Sequence, residues 1–260
     1  MKTVRLVMLF FAVLIVSSCY YYYNEVIGSG DLVERELSYR DFDAIELFLD
    51  GQITIQPAAD FAVRLKADDN VIDLITVYPS DGGNTLRFGM DTHRSYTQVS
   101  IAVVIEMPVL KRLELGNSYS TYYFERPSVT VVTGFTGLET FRLYVNSGEV
   151  TIDGLEATLI DVDTYAGTTR AALVCTELDL FSHSGDVTFT GTADTLDLET
   201  EYGAEVDLSD LTASVAQVEL SRGSHVELTV TDVLRGTAYQ ETELIYEKSA
   251  SLDTTGLVIE

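Results

Sequence analysis

The sequence predicts an all-β chain: a single-stranded parallel β-helix, or β-solenoid, with coils of about 18–20 residues. Three observations predict it. Gly148, Gly167, Gly185, Gly203 and Gly223 recur at spacings of 19, 18, 18 and 20 residues. A period of this length belongs to a unit that buries its apolar face only by stacking on its neighbours. Apolar residues also precede each glycine at alternate positions. Five back stand Leu143, Val162, Leu180, Leu198 and Val218, and seven back Phe141, Ile160, Leu178, Leu196 and Ala216. Six back, Arg142, Asp161, Asp179, Asp197 and Gln217 turn to the opposite, wet face, as the two-residue period of a strand requires. Finally, no window keeps apolar residues at helical spacing, while strand-favouring Thr, Val, Ile and Tyr dominate.

Taken from the N-terminus, Lys2 and Arg5 precede an apolar stretch from Leu6 to Val16 that is too short to span a bilayer and is built like the core of an export signal. Residues 1–18 are therefore expected to be a signal peptide. It ends in Val16-Ser17-Ser18-Cys19, which resembles the lipobox of bacterial lipoproteins and makes Cys19 the lipidated first residue of the mature chain. Residues 19–27 form the lipidated tether, with Tyr20 to Tyr23 at the bilayer surface, where aromatic rings with a polar tip are at home. The acyl chains make the membrane the first partner without any spanning helix. Tyr20 rather than aspartate follows the cysteine, so the expected location is the outer membrane of a bacterial envelope, in a leaflet the sequence does not name.

Residues 28–260 read as one continuous β-solenoid domain, with no proline-rich or charged linker inside it. Its first part, residues 28–137, is irregular but rich in strand patterns. Phe42 to Leu49 and Gln52 to Gln56 flank Asp50-Gly51, a pair suited to closing a hairpin. Phe61 to Ala67, Thr85 to Gly89, Gln98 to Glu106 and Leu110 to Leu115 are further strands, and Asp68, Asp69 and Asn70 suit the cap of a short helical turn at Val71 to Ile75. The regular repeats fill residues 138–260. A second, shorter strand follows most corners, as in Val150 and Ile152, Val187 and Phe189, Val206 and Leu208, and Val226 and Leu228. Six such coils at about 4.8 Å each give a column on the order of 25 to 30 Å.

Charge narrows the function. The chain carries net charge −25, and loss of Lys2 and Arg5 leaves 14 Lys and Arg against 41 Asp and Glu, a net −27. Such a surface repels a phosphate backbone, so nucleic acid is excluded as a partner. Asp161, Asp179 and Asp197 occupy one coil position and would stack as a row of oxygen donors for a divalent cation. The glycine-rich calcium-binding nonapeptide is absent, so no metal site is assigned. His93, His183 and His225 are scattered, with neither an H-E-x-x-H spacing nor a G-x-S-x-G elbow in the chain. No catalytic residue and no cofactor is assigned. Cys175 reads as a small packing residue, because no basic partner is in view to activate it. Tyr119, Tyr122, Tyr123, Tyr144, Tyr165 and Tyr202 are the candidate ligand surface, offering stacking faces to a glycan or an envelope protein, although their coil positions differ.

Several short pieces occur in a telling order: Gly28-Ser29-Gly30, Tyr39-Arg40-Asp41-Phe42-Asp43-Ala44-Ile45, Ala67-Asp68-Asp69-Asn70 with Ile75, and Met107-Pro108-Val109-Leu110-Lys111. Leu-x-Leu runs ending in Ser-Gly follow, then Leu244-Ile245-Tyr246-Glu247 and a last coil from Ala250 to Gly256. Together they resemble the head GIN-domain family of autotransporter-adhesin-like bacterial proteins, in its lipoprotein form. The resemblance implies a secreted or lipid-anchored β-helical domain, proposed to act in adhesion, with no catalytic residues to carry over. The Ser-Gly pair survives only as Ser147-Gly148 and Ser184-Gly185, and no membrane barrel follows that would support self-export. The expectation is a non-catalytic envelope lipoprotein acting as an adhesin-like binding or structural module. Two other readings stay open: a carbohydrate-active β-helix enzyme using surface carboxylates, and a periplasm-facing scaffold without an external ligand.

Overall fold

The structure, a computed structural model, describes residues 24–91, 94–116, 129–239, 241–247 and 252–259. The N-terminal strands are β1 (Asn24–Ile27), β2 (Leu32–Leu37), β3 (Ala44–Phe48), β4 (Gln52–Pro57), β5 (Ala62–Asp68), β6 (Ile75–Ser80), β7 (Thr85–Met90), β8 (Arg94–Thr97), β9 (Ile101–Met107), β10 (Arg112–Leu115) and β11 (Val129–Thr133). The C-terminal strands are β12 (Leu138–Val145), β13 (Glu149–Thr164), β14 (Thr168–Ser182), β15 (Asp186–Thr200), β16 (Glu205–Leu220), β17 (His225–Ala238), β18 (Glu243–Tyr246) and β19 (Asp253–Ile259). The fold is a β-solenoid, and its parallel pairing is the one the glycine period predicts.

Two parallel ladders run the length of the column. One follows β7–β3–β10–β12, then the second halves of β13 to β17, and ends on β19. The other follows β9–β4–β11, then the first halves of β13 to β17, and ends on β18. The register of the repeats is the predicted one: Phe141, Ile160, Leu178, Leu196 and Ala216 are successive neighbours, as are Leu143, Val162, Leu180, Leu198 and Val218. All ten are buried. Alternation of buried and exposed positions slips twice inside β13 and β16, as at Ser209-Asp210 and Ser214-Val215 of β16, so these coils have three short inward-facing runs rather than two, while β14 and β15 slip once, at Thr176-Glu177 and Asp194-Thr195. The column is also longer than the repeats alone imply. The ladder passing through β7, β3 and β10 extends it to about 40 Å at ~4.8 Å per strand.

The structure corrects two expectations, the hairpin at Asp50-Gly51 and the cap at Asp68 to Asn70, and adds an order of stacking that the sequence pattern did not address. First, Asp50-Gly51 does not close a hairpin. β3 pairs with β7 and β10, β4 pairs with β9 and β11, and the turn between them is a coil corner. A parallel neighbour on each side already takes the backbone groups a hairpin would need. Second, the N-terminal coils do not stack in sequence order. After β4 the chain leaves the column and returns on its far side, so β3 lies between β7 and β10 and β4 between β9 and β11. Third, the turn after Asn70 exists as a 3-10 turn at Ile72–Leu74, but no side chain caps it. The Asp68 carboxylate is engaged elsewhere, by the amides of Gly30 and Ser100, both at 2.7 Å.

Antiparallel strands close the N-terminal end. β6 lies on β7, β5 lies on β9, and β2 lies on β5. They occupy the donors and acceptors that an open ladder would present to another chain. β1 and β8 form a separate two-stranded parallel sheet. Among the described residues, no helix is long and apolar enough to cross a membrane.

Candidate functional site

The turns that end each coil line up on one edge of the column. The strand enters the turn with an inward-facing residue, Thr164, Ser182 or Thr200, each fully buried. The next amide bonds to the coil before it, as in Tyr165 N–H to Val145 O at 2.8 Å, His183 N–H to Thr164 O at 2.8 Å and Glu201 N–H to Ser182 O at 2.9 Å. The glycine then redirects the chain. At Gly167 φ is +99°, which a side chain would resist. Gly185 has ordinary φ and is required for another reason, because a Cβ there would collide with Thr164 Cγ2. The Tyr202-Gly203 and Arg222-Gly223 turns place two successive residues at positive φ, with Tyr202 at +49° and Arg222 at +58°.

This geometry brings aromatic side chains of successive coils together. Tyr144 meets Tyr165 with ring centroids 5.3 Å apart, Tyr165 meets Phe181 at 5.8 Å and His183 at 5.7 Å, and His183 meets Tyr202 at 4.4 Å. The Arg222 guanidinium completes the row, 4.0 Å above the Tyr202 ring. Tyr165 and Tyr202 are the open members, 38% and 51% exposed. Burial pushes the Tyr144 hydroxyl up to about 12, helped by its hydrogen bond with Tyr165 and by the Asp163 and Glu114 charges.

Three of the six tyrosines named from sequence are therefore brought together: Tyr144, Tyr165 and Tyr202. Tyr119, Tyr122 and Tyr123 lie outside the described residues, as do Cys19 and His93. Sequence reasoning missed Phe181, His183 and Arg222 as members of the row. A signal existed, since Phe181 stands four before its glycine as Tyr144 does, and His183 stands two before as Tyr165 does.

An acidic face adjoins the aromatic row. Asp161, Asp179 and Asp197 are direct ladder neighbours. Asp179 is held above the usual carboxylate range by burial and by the charges of Glu177, Asp161 and Asp197. Burial also raises Asp163, with Asp161 adding to it, and raises Glu199, with Glu219, Glu201 and Asp197 adding. Arg142 pairs with Asp161 at 3.2 Å and His183 with Glu201 at 3.2 Å. Among the described residues, Asp179, Asp197, Glu199 and Glu219 have no Lys or Arg within ion-pair distance, and no three His, Cys, Asp or Glu side chains converge as metal ligands would.

Among the described residues, two further reactive groups, His225 and Cys175, make no ring contact with the row. His225 lies among Glu243 at 3.2 Å, Glu227 at 3.3 Å and Glu205 at 3.9 Å. Burial depresses its imidazolium, but the hydrogen bonds to Glu227 and Glu243 and the nearby glutamate charges outweigh this and raise it overall. Cys175 is buried, and desolvation, with Asp194 adding, pushes its thiol up to about 12, the opposite of an activated nucleophile.

The motif pieces near the N-terminus are explained by contacts with one another. Gly28-Ser29-Gly30 docks on Asp68-Asp69-Asn70: Ser29 Oγ donates to Asp69 at 2.7 Å, Ser29 N–H to Asn70 Oδ1 at 3.2 Å, and Asn70 Nδ2 to Ile27 O at 2.8 Å. Lys111 binds Asp43 twice, through Nζ to the carboxylate at 2.8 Å and through its amide to the Asp43 carbonyl at 2.7 Å. Tyr39 donates its hydroxyl to Val77 O at 2.7 Å. These residues build the fold through contacts with one another.

No curated protein matches the chain. Solved structures do share its fold. A "putative adhesin" from Parabacteroides merdae has a TM-score of 0.72 at 13% identity, covering 91% of this chain and 99% of its own. A second "putative adhesin", from Parabacteroides distasonis, has a TM-score of 0.68 at 15% identity, with 91% and 100% covered. A "putative lipid binding protein", also from Parabacteroides distasonis, has a TM-score of 0.67 at 16% identity, again with 91% and 100% covered. Residues 41–250 match the family model described as "Putative auto-transporter adhesin, head GIN domain". With that match spanning most of the solenoid and the motif pieces seated against one another, this chain belongs to the head GIN-domain family.

Proposed function

We propose that this chain is a non-catalytic, adhesin-like binding module of the bacterial cell envelope, held on the outer membrane by lipid on Cys19, with the aromatic corner as its contact surface. The observation that carries this reading is the unbroken ring contact from Tyr144 through Tyr165 and His183 to Tyr202 along the outside of the column. Core packing does not need these rings, since the inward positions of the same coils are already filled by other side chains, mostly Leu, Ile, Val, Phe and Ala, with Thr164, Ser182 and Thr200 at the corner. A rigid row of half-exposed aromatics is what a recognition surface uses, because large contact area comes at low cost in side-chain entropy. The adhesin description of the family agrees with it.

The test has two arms. Cells fed a labelled lipid precursor are expected to label this protein, and Cys19→Ala is expected to abolish the label and release the protein. An unlabelled wild type with a free Cys19 thiol overturns the anchor. In the second arm, the purified solenoid carrying Tyr165→Ser and Tyr202→Ser is expected to lose attachment to cell surfaces while keeping its circular dichroism spectrum and melting temperature. Attachment equal to wild type overturns the corner.

A further inference from the structure

We infer that the ligand of the aromatic corner is an amine-bearing polysaccharide lying along the column axis. The inference rests on the corner being the binding surface, and adds the chemistry of what binds.

Three observations lead to it. The open rings of Tyr165 and Tyr202 are two coils apart, about 10 Å along the axis at ~4.8 Å per coil, with His183 between them. They form a continuous row of tilted rings along the column, suited to an extended chain of sugar rings. Next, the backbone at this edge is spent. The amides of Tyr165, His183 and Glu201 each donate to the preceding coil, so a peptide cannot join here by adding a strand. Recognition has to come from ring faces and side-chain acceptors, which suits sugar rings with their hydroxyl and amino groups. Last, the acceptors alongside are carboxylates: Asp179, Asp197 and Glu199 stand on the adjoining ladder positions with no Lys or Arg of the described chain paired to them. Their mutual repulsion is relieved by a ligand that brings positive charge. The rings accept a cation, since the Arg222 guanidinium packs 4.0 Å above Tyr202 at the end of the row; that face is taken, and the ligand meets the surface of Tyr202 that is left exposed. Acidic polysaccharides meet repulsion from the same carboxylates and from a net charge of −25.

The experiment compares oligomers of one backbone that differ in charge. Glucosamine hexamer, its N-acetylated counterpart and an oligouronate are titrated into the solenoid at pH 6. The glucosamine hexamer is expected to bind about 10-fold or more tightly than the N-acetylated one, and to weaken as salt is raised, with no binding of the uronate. Asp179→Asn with Asp197→Asn is expected to remove most of that preference while leaving N-acetylated binding unchanged. Tyr165→Ser with Tyr202→Ser is expected to remove binding of both. Equal binding of the two hexamers, or preference for the uronate, overturns the assigned charge. If wild type binds none of the oligomers although the tyrosine variant still loses cell attachment, the glycan class falls and the corner stands. If the tyrosine variant attaches to cells as wild type does, the corner itself falls and the inference with it.

Discussion

The two halves of the column are held together by different means. From β12 onward each coil repeats the one before it, and the coils are joined by the backbone ladder and by apolar side chains stacked in register, with half-exposed ion pairs such as Arg142–Asp161 and Arg170–Glu149 added on the outside. Before β12, coils stack out of sequence order, and specific polar contacts fix them: Asp68 on the amides of Gly30 and Ser100, Lys111 on Asp43, Arg112 between Glu46 at 3.3 Å and Asp81 at 2.9 Å. A regular stack specifies itself through a period, because every neighbour is alike. An irregular one needs contacts that only one arrangement satisfies. The non-repeating motifs from Gly28 to Lys111 fall in the irregular half for that reason.

The sharpest way to break this comparison is to remove a coil from each half. Excising residues 168–185 joins Gly167 to Asp186, and because Thr168 and Asp186 are ladder neighbours the shortened chain keeps its register. It is expected to be soluble and β-rich and to unfold cooperatively with reduced stability. Excising residues 85–107 removes β7 and β9, on which β6 and β5 rest, and is expected to yield aggregated protein. Circular dichroism and size-exclusion chromatography decide, and equal survival of both would erase the distinction.

A smaller effect is expected from Asp68→Ala. It removes a fully buried carboxylate and leaves the part-buried amides of Gly30 and Ser100 without their charged acceptor, at a cost of about 2–4 kcal/mol read as a lower urea midpoint. The smallest expected effect has the opposite sign. Asp50, at the corner between β3 and β4, has one carboxylate oxygen buried without a partner, and burial pushes its carboxyl up to about 6. The folded state therefore holds a proton that the unfolded chain, near 3.8, releases, so this group takes stability away as pH rises from about 4 to about 6. Asp50→Asn is expected to stabilise the protein by about 1–3 kcal/mol at pH 7.5, a rise in melting temperature of several degrees, and to change little at pH 4. A gain equal at both pH values would show that desolvation of the charge is not the cause.

The legibility of the sequence follows the same division. In the repeats, counting back from each glycine gave the ladder register residue by residue, because period and alternation are local signals. In the N-terminal half the strands themselves were visible, yet their order was not: nothing within β3 indicates that β7 will lie on one side of it and β10 on the other. That information resides in loop paths and in polar partners about 40 to 70 residues apart, such as Gly30 with Asp68, or Asp43 with Lys111. The site was half legible. Tyr144, Tyr165 and Tyr202 stand at three different positions before their glycines, which argues against a row. They form one because long rings reach diagonally between neighbouring coils.

The residue just before each corner glycine is Ser147, Ala166, Ser184, Tyr202 and Arg222 in successive coils, and all five are exposed. No core neighbour constrains what stands there, while the glycine beside it keeps the turn. At Ser147, Ala166 and Ser184, where φ is ordinary, each coil thus carries one letter that can be rewritten at little cost to folding, whereas the left-handed Tyr202 and Arg222 disfavour β-branched replacements. A lineage can drift from one surface to another by changing these letters singly, and a library varied at these five positions samples new specificities on an unchanged frame.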